Sequence, residues 1–441
     1  MKRYAAYKPT GLKWFPEIPQ EWSWRFLCQV AQEQTIKKPP EEMYPVMTLS
    51  YGEIKRKKNI DSGLVPSNYD NYQMLYKGNI VLRLIDLQND HTSLRTGLVH
   101  ETGIITSAYT CIVSSENPAY IRYLLHSYDT RKVFYGYGGG VRQSIGFKEI
   151  RHLQVSVPPR DEQDQIVRYL DWQVSKINRL IAAKRKQIEL LNQTIAHNLE
   201  RIICEGMHGE ELVETGNPWI STAPKSWNKL RHKNILTEKK IVVGDTYSQY
   251  TLLSLTTKGI IVRDISSGKG KFPSDFSTYQ VVQPSDMVFC LFDVDETPRT
   301  VGLSAYTGMI TGAYTVYETH DVVPEFLLHY FTAIDNRKGF KPLYSGLRKV
   351  IGKDVFSRQS IYLPSVEEQK EIVAAIDASQ KKCKKAMDLF EQEIIALTDL
   401  RTRLISDVVT GKIDVRSIKV PDYELVDDVV QDSEDGEPEV E

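Results

Sequence analysis

A short basic run, Glu53 to Lys58, is the first stretch of the chain whose side chains suit a chemical task. Its last four residues are all cations, and the residues that follow are typical of an exposed turn. Clustered lysine and arginine side chains neutralise phosphates, so the run is a candidate contact with a nucleic-acid backbone. A solvated surface face is the other interpretation, and composition does not separate the two.

A polar loop, Asp86 to Arg95, follows a predicted strand over Ile80 to Leu84. Its amide, hydroxyl and guanidinium side chains are the types that read base edges or hold phosphates. In the second half of the chain Asp293 is kept, but the loop is replaced by V-D-E-T-P-R-T. Loops on a constant scaffold carry binding specificity, so the sequence predicts two sites of one kind with different preferences. An unspecialised polar surface loop is the alternative.

A third candidate is the pattern G-x-R-x-x-I-G, which begins at Gly140 and again at Gly346. The glycine permits close approach of the backbone, and the arginine suits a phosphate or a base edge, unless it pairs with an acidic neighbour. The candidate DNA contacts in the first half are Lys55, Arg56, Lys57, Lys58, Arg83, Gln88, Asn89, Thr92, Ser93, Arg95 and Arg142. Those in the second half are Lys258, Arg263, Lys269, Lys271, Arg299, Arg348 and Lys349.

No catalytic, cofactor-binding or metal-binding residues are predicted. The stretch Asn117 to Tyr120 (N-P-A-Y) is similar to the motif with which adenine methyltransferases hold a target amino group. Its counterpart in the second half, Val323 to Phe326, reads V-P-E-F, so the two share only a proline at the first turn of a helix. No G-x-G cofactor loop follows an early strand, and the five cysteines are scattered without C-x-x-C spacing.

The elements that must position these candidates are duplicated. Leu153 to Asp171 and Gln359 to Asp377 share the pattern P-x-x-x-E-Q-x-x-I-V at an offset of 206 residues. A strand ending at proline, followed by acidic residues, is typical of a strand that leads into a helix. Gly97 to Thr110 recurs as Gly302 to Thr315, with nine identities in fourteen positions. The period is far longer than the 20 to 50 residues of a typical solenoid repeat, which indicates a tandem pair of domains.

Each repeated helix start opens a long apolar stripe. From Leu170 and from Ile376, apolar residues recur at steps of four and three, the pattern of a coiled-coil seam. Helices of about 40 residues would be about 60 Å long, so we expect them to pack on each other, antiparallel, with one domain at each end. The predicted fold is α+β, with a mixed α/β domain at 1–158, a helix at 159–205, a second domain at 206–364, a second helix at 365–411 and a C-terminal segment at 412–441.

Charge is distributed unevenly along the 441 residues. The net charge is -1, but residues 421–441 hold ten of the 57 acidic groups and none of the 56 basic ones, so residues 1–420 carry a formal +9. The acidic tail is predicted to be disordered, either as a solubilising end or as a competitor for a basic groove. Without a long apolar span or the apolar core of a signal peptide, a soluble cytoplasmic protein is expected.

The order of these parts resembles the specificity subunit of Type I restriction-modification enzymes. The resemblance covers nearly all of residues 10–416, and the paired P-x-x-x-E-Q-x-x-I-V helix starts are its most specific mark. It implies two target-recognition domains, each reading one half of an asymmetric bipartite site in double-stranded DNA. It also implies that this subunit has no catalytic centre and positions two methyltransferase subunits, which bring S-adenosylmethionine, and two restriction subunits, which use ATP and Mg²⁺.

The outer faces of the two helices are candidate docking surfaces for the methyltransferase or for DNA, and a solvated coiled-coil face is the equal alternative. The residues concerned are Lys184, Arg185, Lys186, Lys381, Lys382, Lys384 and Lys385. A coiled-coil scaffold with two ligand-binding domains and no DNA role is the rival function. A self-sufficient methyltransferase is disfavoured because no cofactor loop is present.

Overall fold

The computed structural model describes residues 2–12, 15–39, 42–57, 69–87, 94–137, 144–217, 219–263, 275–344, 346 and 349–427. The chain divides into two compact units: unit 1, formed by residues 1–186 and 391–441, and unit 2, formed by residues 187–390. Each unit takes part of both long helices, so the domain boundaries expected from the repeat stay a prediction. In the described part of the chain, no helix is long and apolar enough to cross a membrane.

Unit 1 is built on a four-stranded antiparallel sheet. The strands of the whole unit are β1 (Tyr7–Leu12), β2 (Phe15–Pro19), β3 (Ser23–Phe26), β4 (Ala31–Gln34), β5 (Met47–Ser50), β6 (Glu53–Arg56), β7 (Gln73–Leu75), β8 (Ile80–Leu82), β9 (Thr96–Leu98), β10 (Gly103–Ile105), β11 (Thr110–Ser114) and β12 (Gln154–Val157). The sheet order is β4-β11-β8-β9, and the antiparallel pairs β1–β2, β3–β12, β5–β6 and β7–β10 surround it. The helices are α1 (Pro118–Thr130), α2 (Phe147–Ile150) and the first part of α3 (Arg160–Glu205).

Unit 2 repeats this plan. Its strands are β13 (Leu212–Glu214), β14 (Thr222–Pro224), β15 (Asn228–Arg231), β16 (Leu236–Lys239), β17 (Leu253–Thr256), β18 (Gly259–Val262), β19 (Gln280–Val282), β20 (Met287–Phe289), β21 (Val301–Leu303), β22 (Gly308–Ile310), β23 (Thr315–Thr319) and β24 (Ser360–Leu363). The sheet order is β16-β23-β20-β21, with the pairs β13–β14, β15–β24, β17–β18 and β19–β22 around it. The helices are the second part of α3, α4 (His232–Ile235), α5 (Pro324–Asn336), α6 (Lys353–Arg358) and the first part of α7 (Val366–Val409).

Strand β8 in unit 1 and strand β20 in unit 2, each inside its four-stranded sheet, are apolar on both faces because both faces are covered. In β8, Ile80 and Leu82 join the main core with α1, whereas Val81 joins a smaller core with Leu49 and Ile54 of the β5–β6 hairpin. Strand side chains alternate between faces, so a continuous apolar run is what a strand buried on both sides requires. Strand β20 follows the same rule, with Val288 packing in the smaller core of the β17–β18 hairpin.

The prolines singled out in the sequence do begin helices, as predicted. Helix α1 begins at Pro118 and α5 at Pro324, in the first turn, where the missing N–H is not needed. Asn117 caps α1, because its side-chain oxygen accepts hydrogen bonds from the N–H groups of Ala119 and Tyr120. The N-P-A-Y stretch is therefore a helix cap.

The repeated E-Q pair ties each long helix to its unit. The side chain of Gln163 accepts a hydrogen bond from the N–H of Asn117 at 3.0 Å and donates one to the carbonyl of Pro158 at 2.9 Å. Gln369 makes the same two bonds, to Val323 and Pro364. Both glutamines are buried, and a buried amide that lost such partners would cost about 1–3 kcal/mol, so their identity in the two copies has a structural reason.

The adjacent glutamates hold the repeated tryptophans. The indole N–H of Trp22 donates to Glu162 at 3.1 Å, and that of Trp227 donates to Glu368 at 3.1 Å. Among the described residues, Glu162 alone receives a second bond, which comes from the hydroxyl of Tyr4 at 2.6 Å. The P-x-x-W and E-Q motifs therefore recur together because each supplies half of one contact.

The two long helices pair antiparallel within unit 1, which confirms the predicted fold class. Arg401 donates to the side chain of Asn178 at 2.7 Å, and Lys184 forms an ion pair with Glu393 at 2.6 Å. As α3 advances from 178 to 184, α7 therefore runs back from 401 to 393, and the apolar stripe packs between these contacts. In unit 2, Leu199 and Ile203 of α3 share a core with Ile372 and Ile376 of α7.

The C-terminal segment corrects one expectation. Residues 421–427 belong to the tail predicted to be disordered, yet they lie along α3 of unit 1. Val426 donates its N–H to Ser175 and accepts from the amide of Asn178 at 2.8 Å, while Arg179 pairs with Glu424. Backbone bonds to buried side chains compensate for the few apolar contacts that composition provides. The rest of the tail, residues 428–441, lies outside the described residues.

Candidate nucleic-acid interface

The basic run of the first half lies on the β5–β6 hairpin of unit 1. Lys55 forms an ion pair with Glu53 at 2.8 Å, and the exposed Arg56 makes two bonds to Glu101, of which the one from Nε is 2.7 Å. The Arg56 hydrogen bond lowers the pKa of the Glu101 carboxyl. The backbone N–H of Lys57, just after β6, donates a hydrogen bond to the carbonyl of Val46. Exposed ion pairs of this kind are weak, so phosphates can replace the carboxylates as partners.

Two glycines fix this hairpin against the sheet. A Cβ atom at Gly97 would lie 2.6 Å from Leu49 Cδ1, and one at Gly103 would lie 2.8 Å from the carbonyl oxygen of Pro45. In unit 2 a Cβ atom at Gly302 would lie 2.6 Å from Leu255 Cδ1. A side chain at any of these positions would force the hairpin or its side chains to shift. The glycines shared by Gly97–Thr110 and Gly302–Thr315 therefore position a hairpin in each unit.

The hairpin of unit 2 carries fewer cations. Lys258 lies exposed in the turn between β17 and β18, where the hydroxyl of Thr256 accepts its N–H. Arg263 follows β18 and donates its N–H to the carbonyl of Leu252. The same scaffold thus presents a different charge pattern in each unit.

Arg95 does not contact solvent, which corrects its assignment as a direct DNA contact. Its side chain is fully buried, and Nη1 donates to the carbonyls of Arg83 and Ile85 at 3.0 and 2.8 Å. The backbone N–H of Arg95 donates to the carboxylate of Asp129. A guanidinium has five N–H donors and serves well as a clamp for backbone carbonyls. Arg95 therefore fixes the backbone that leads into the polar loop, and Arg83, half-buried on that same backbone, belongs to this arrangement.

The corresponding cations of unit 2 are engaged in ion pairs inside the unit. Arg299 lies 3.2 Å from Asp335, whose carboxylate also accepts the N–H of Thr300. Lys349 pairs with Glu296 at 2.9 Å, and this hydrogen bond raises the pKa of Lys349. Their side chains remain partly exposed, at 21% and 30%, so they stay candidates for contact with DNA.

Several candidates lie outside the described residues. They are Lys58, Gln88, Asn89, Thr92, Ser93 and Arg142 in the first half and Lys269, Lys271 and Arg348 in the second. Their role stays a prediction.

The helix cations divide into two groups. Lys184 lies between the paired helices, bonded to Glu393, so its assignment to an outer face is corrected. Lysine fits the seam because its apolar stem packs there while the ammonium group reaches a carboxylate. Arg185 is half-buried, whereas Lys186, Lys381, Lys382, Lys384 and Lys385 are exposed and remain candidates for docking.

The sequence interpretation missed the positioning residues. Gly97, Glu162 and Trp22 were visible only as identities between the copies, and the contact that each one makes became clear from the structure. Within the described ranges, no group of three or more His, Cys, Asp or Glu residues is arranged to hold a metal ion.

The chain is similar to several known proteins. Residues 28–190 match the family described as Type I restriction modification DNA specificity domain. A curated protein of Methanocaldococcus jannaschii, named as the MjaX specificity subunit of a type I restriction enzyme, is 25% identical over 321 residues, which cover 68% of this chain and 69% of that protein.

Two solved structures are also similar. A chain from a structure of complex assembly and conformational transition of the type I R-M system superposes with a TM-score of 0.64 at 14% identity, over 90% of this chain and 99% of that one. The HsdS subunit of Thermoanaerobacter tengcongensis gives a TM-score of 0.44 at 16% identity, over 90% and 98% of the two chains. Residues 28–190 are thus similar to a type I restriction-modification specificity domain, and the first of the two solved structures has the same fold as this chain.

Proposed function

We propose that this chain is the non-catalytic subunit that selects the DNA sequence for a type I restriction-modification complex. Unit 1 and unit 2 each read one half of an asymmetric, bipartite site in double-stranded DNA. The observation that carries the proposal is the hairpin packed against a glycine in each unit, conserved in position while its charged residues differ. A constant scaffold with variable polar side chains is what two readers of different half-sites require.

The charge of the chain supports DNA as the ligand. Residues 1–420 carry a formal +9, and Lys55, Arg56 and Lys57 lie on one hairpin. Phosphate neutralisation by such residues supplies sequence-independent affinity, while loops and base edges supply selectivity. This distribution does not favour a DNA-free scaffold.

The partners belong to the same proposal. Exposed lysines on α7, including Lys381 and Lys385, offer a surface for the methyltransferase subunits. Those subunits would bring S-adenosylmethionine, and restriction subunits would bring ATP and Mg²⁺, so no cofactor is assigned to this chain. The complex would act in the cytoplasm, where its DNA substrate lies.

The test is a map of methylated adenines after co-expression of this chain with a methyltransferase subunit. We expect a split, asymmetric motif that is absent without the chain. Exchange of residues 1–158 for those of a relative should change one half of the motif, and exchange of residues 206–364, the matched control, should change the other half. If the subunits co-purify but no motif appears and the chain does not bind duplex DNA, the scaffold function replaces the proposal.

A further inference from the structure

The hairpins of the two units can be aligned residue by residue, because each one packs on an equivalent glycine. A Cβ atom at Gly97 would lie 2.9 Å from Ile54 Cγ1. A Cβ atom at Gly302 would lie 2.9 Å from Ile260 Cγ1. Ile54 of β6 and Ile260 of β18 are therefore equivalent, at an offset of 206 residues. The next two residues are charged in unit 1 and apolar in unit 2: Lys55 and Arg56 in the first, Ile261 and Val262 in the second.

The carboxylates that pair with Lys55 and Arg56 in unit 1 are replaced as well. These carboxylates belong to Glu53 and Glu101. The equivalent residues of unit 2, in the aligned hairpin and in the repeated stretch that follows it, are uncharged: Gly259 and Tyr306. Both members of each ion pair have thus changed together, so the hairpin of unit 2 keeps the fold without the charge.

Three of the substituted positions carry large exposed side chains in unit 2. The exposed fractions are 40% for Ile261, 48% for Val262 and 44% for Tyr306. Ile260 packs inward, in the smaller core of the unit. Because strand side chains alternate between faces, Ile261 lies on the outer face, opposite Ser254 of β17. Exposed apolar side chains that are grouped on a rigid element indicate a binding surface.

The shape and charge of this hairpin suit the major groove of DNA. In the ten residues from Leu253 to Val262 the one charged side chain is that of Lys258, which lies exposed in the turn. A cation at the turn and apolar side chains along the strand match a groove in which phosphates flank the base edges. The major groove is about 12 Å wide and admits a two-stranded β-ribbon.

The apolar group that the major groove offers is the C5-methyl group of thymine. The other base-edge groups there are hydrogen-bond donors and acceptors. The side chains of Ile261 and Val262 have neither donor nor acceptor, so a polar base edge covered by them would lose its bonds to water without replacement. A methyl group, in contrast, is stabilised by removal from water. The hairpin of unit 2 therefore favours a thymine over the other bases.

We propose that Ile261 and Val262, together with Tyr306, determine the specificity of unit 2 by contacting the C5-methyl group of a thymine in its half-site. This inference rests on the proposed function, in which the hairpin of unit 2 reads DNA. Lys55 and Arg56 hold the equivalent positions in unit 1, so the contact belongs to unit 2 alone. The two units thus differ in the kind of base-edge group that their hairpins can recognise.

The test measures binding of the full-length chain, in complex with its methyltransferase subunits, to duplexes of the site that the methylation map defines. Each thymine of the half-site read by unit 2 is replaced in turn by deoxyuridine, which lacks only the C5-methyl group. We expect one replacement to weaken binding about fourfold, the value for burial of one methyl group. Ile261→Ala should weaken binding to the thymine duplex, and deoxyuridine at that position should then have no further effect.

Val355→Ala is the matched control, because Val355 is an apolar residue of α6 in the same unit and is 42% exposed. It should leave the effect of deoxyuridine unchanged. The melting temperature of each variant shows whether it folds, and if Ile261→Ala does not, Val262→Ala carries the same comparison.

The inference alone is overturned if the complex methylates its site but binds every deoxyuridine duplex as tightly as the thymine duplex. An effect of deoxyuridine that persists in Ile261→Ala would overturn it too. So would loss of co-purification with the methyltransferase subunit in Ile261→Ala, which would assign these side chains to a protein contact. If the methylation map shows no motif, the proposed function fails, and this inference fails with it.

Discussion

The same aspartate is bound by different side chains in the two units. In unit 1, Tyr123 donates its hydroxyl to Asp171 at 2.8 Å, and in unit 2 His329 lies 3.2 Å from Asp377. The aspartates are identical residues of the repeated helix starts, while their partners lie at corresponding positions of α1 and α5. The duplicated chain has therefore kept the position of each contact and changed its chemistry. The positions of the contacting residues are the same in the two units, whereas the charge of the contact and its response to pH differ.

Substitution of the glycines that contact the hairpins should have the largest effect on the similarity between the two units. Gly97→Val should displace the β5–β6 hairpin, because the added atoms would overlap Leu49 and Ile54. Overpacking of this kind costs about 3 kcal/mol, and it should lower the stability of unit 1 and its affinity for DNA. Gly302→Val should do the same to unit 2. Denaturant unfolding measures the effect.

Gly136→Val is the control for that prediction, since a Cβ atom there meets no described atom within 4 Å. A surface change of this type should alter stability by less than about 0.5 kcal/mol. If Gly97→Val is as mild as Gly136→Val, the hairpin is not held by this contact.

The glutamates of the two helix starts should distinguish the units by a smaller loss of stability. Glu162→Leu leaves both the Tyr4 hydroxyl and the Trp22 indole without an acceptor, whereas Glu368→Leu leaves only Trp227. We expect losses of about 2 and about 1 kcal/mol, respectively, from unpartnered buried donors. Tryptophan fluorescence during urea unfolding reports both.

Asp161→Ala removes an exposed acidic residue from the same helix turn and serves as the control. It should cost only a few tenths of a kcal/mol through the helix dipole. Equal losses for Glu162→Leu and Glu368→Leu would show that the Tyr4 contact adds nothing.

The smallest expected difference between the two units is in how their stability depends on pH. Burial lowers the pKa of His329, although Asp377 and Glu325 oppose the shift. The unfolded chain therefore takes up a proton before the folded one, so the stability due to neutral His329 is complete above about pH 6.5 and is lost as the pH falls. His329→Tyr introduces the residue found in unit 1. It should reduce the slope of the unfolding free energy against pH by at most about 1.4 kcal/mol per pH unit.

Thermal unfolding between pH 7 and pH 5 checks this effect. His320→Tyr changes an exposed histidine of the same unit and should leave the pH profile as it was. An unchanged profile in His329→Tyr would mean that His329 is not the titrating group. His232 and His126, both buried with lowered pKa values, would remain to explain acid sensitivity.

The sequence predicted the parts of the molecule that depend on periodicity. The strand leading into each long helix, the proline helix starts and the coiled-coil seam followed from repeated apolar spacing, because that spacing specifies which face is buried. Contacts between residues distant in the chain were not predictable. Arg95 looked like a loop cation, and only its environment of carbonyl groups shows that it is a buried clamp. Lys184 was placed on an outer face because its partner Glu393 lies 209 positions away.

The first seven residues of the tail differ from the expectation for a related reason. Composition gave residues 421–427 few apolar groups, but Ser175 and Asn178 bond their backbone, and side-chain bonds to a backbone leave no compositional trace. Base contacts are similarly unpredictable, since the amide and hydroxyl types present at Gln88 to Ser93 serve a polar surface as well as they serve a reader.

The division of unit 1 between the two ends of the chain has a consequence for biosynthesis. Val408, Val409 and Val415 are buried in the same core as Trp22 and Phe15, and Tyr7 bonds the carbonyl of Gly411. Unit 2 is continuous, so all of its residues have been translated before residues 391–427 leave the ribosome. Unit 2 is therefore expected to fold first, against the usual order from the amino terminus. Until residues 391–427 have been translated, part of the apolar core of unit 1 stays uncovered.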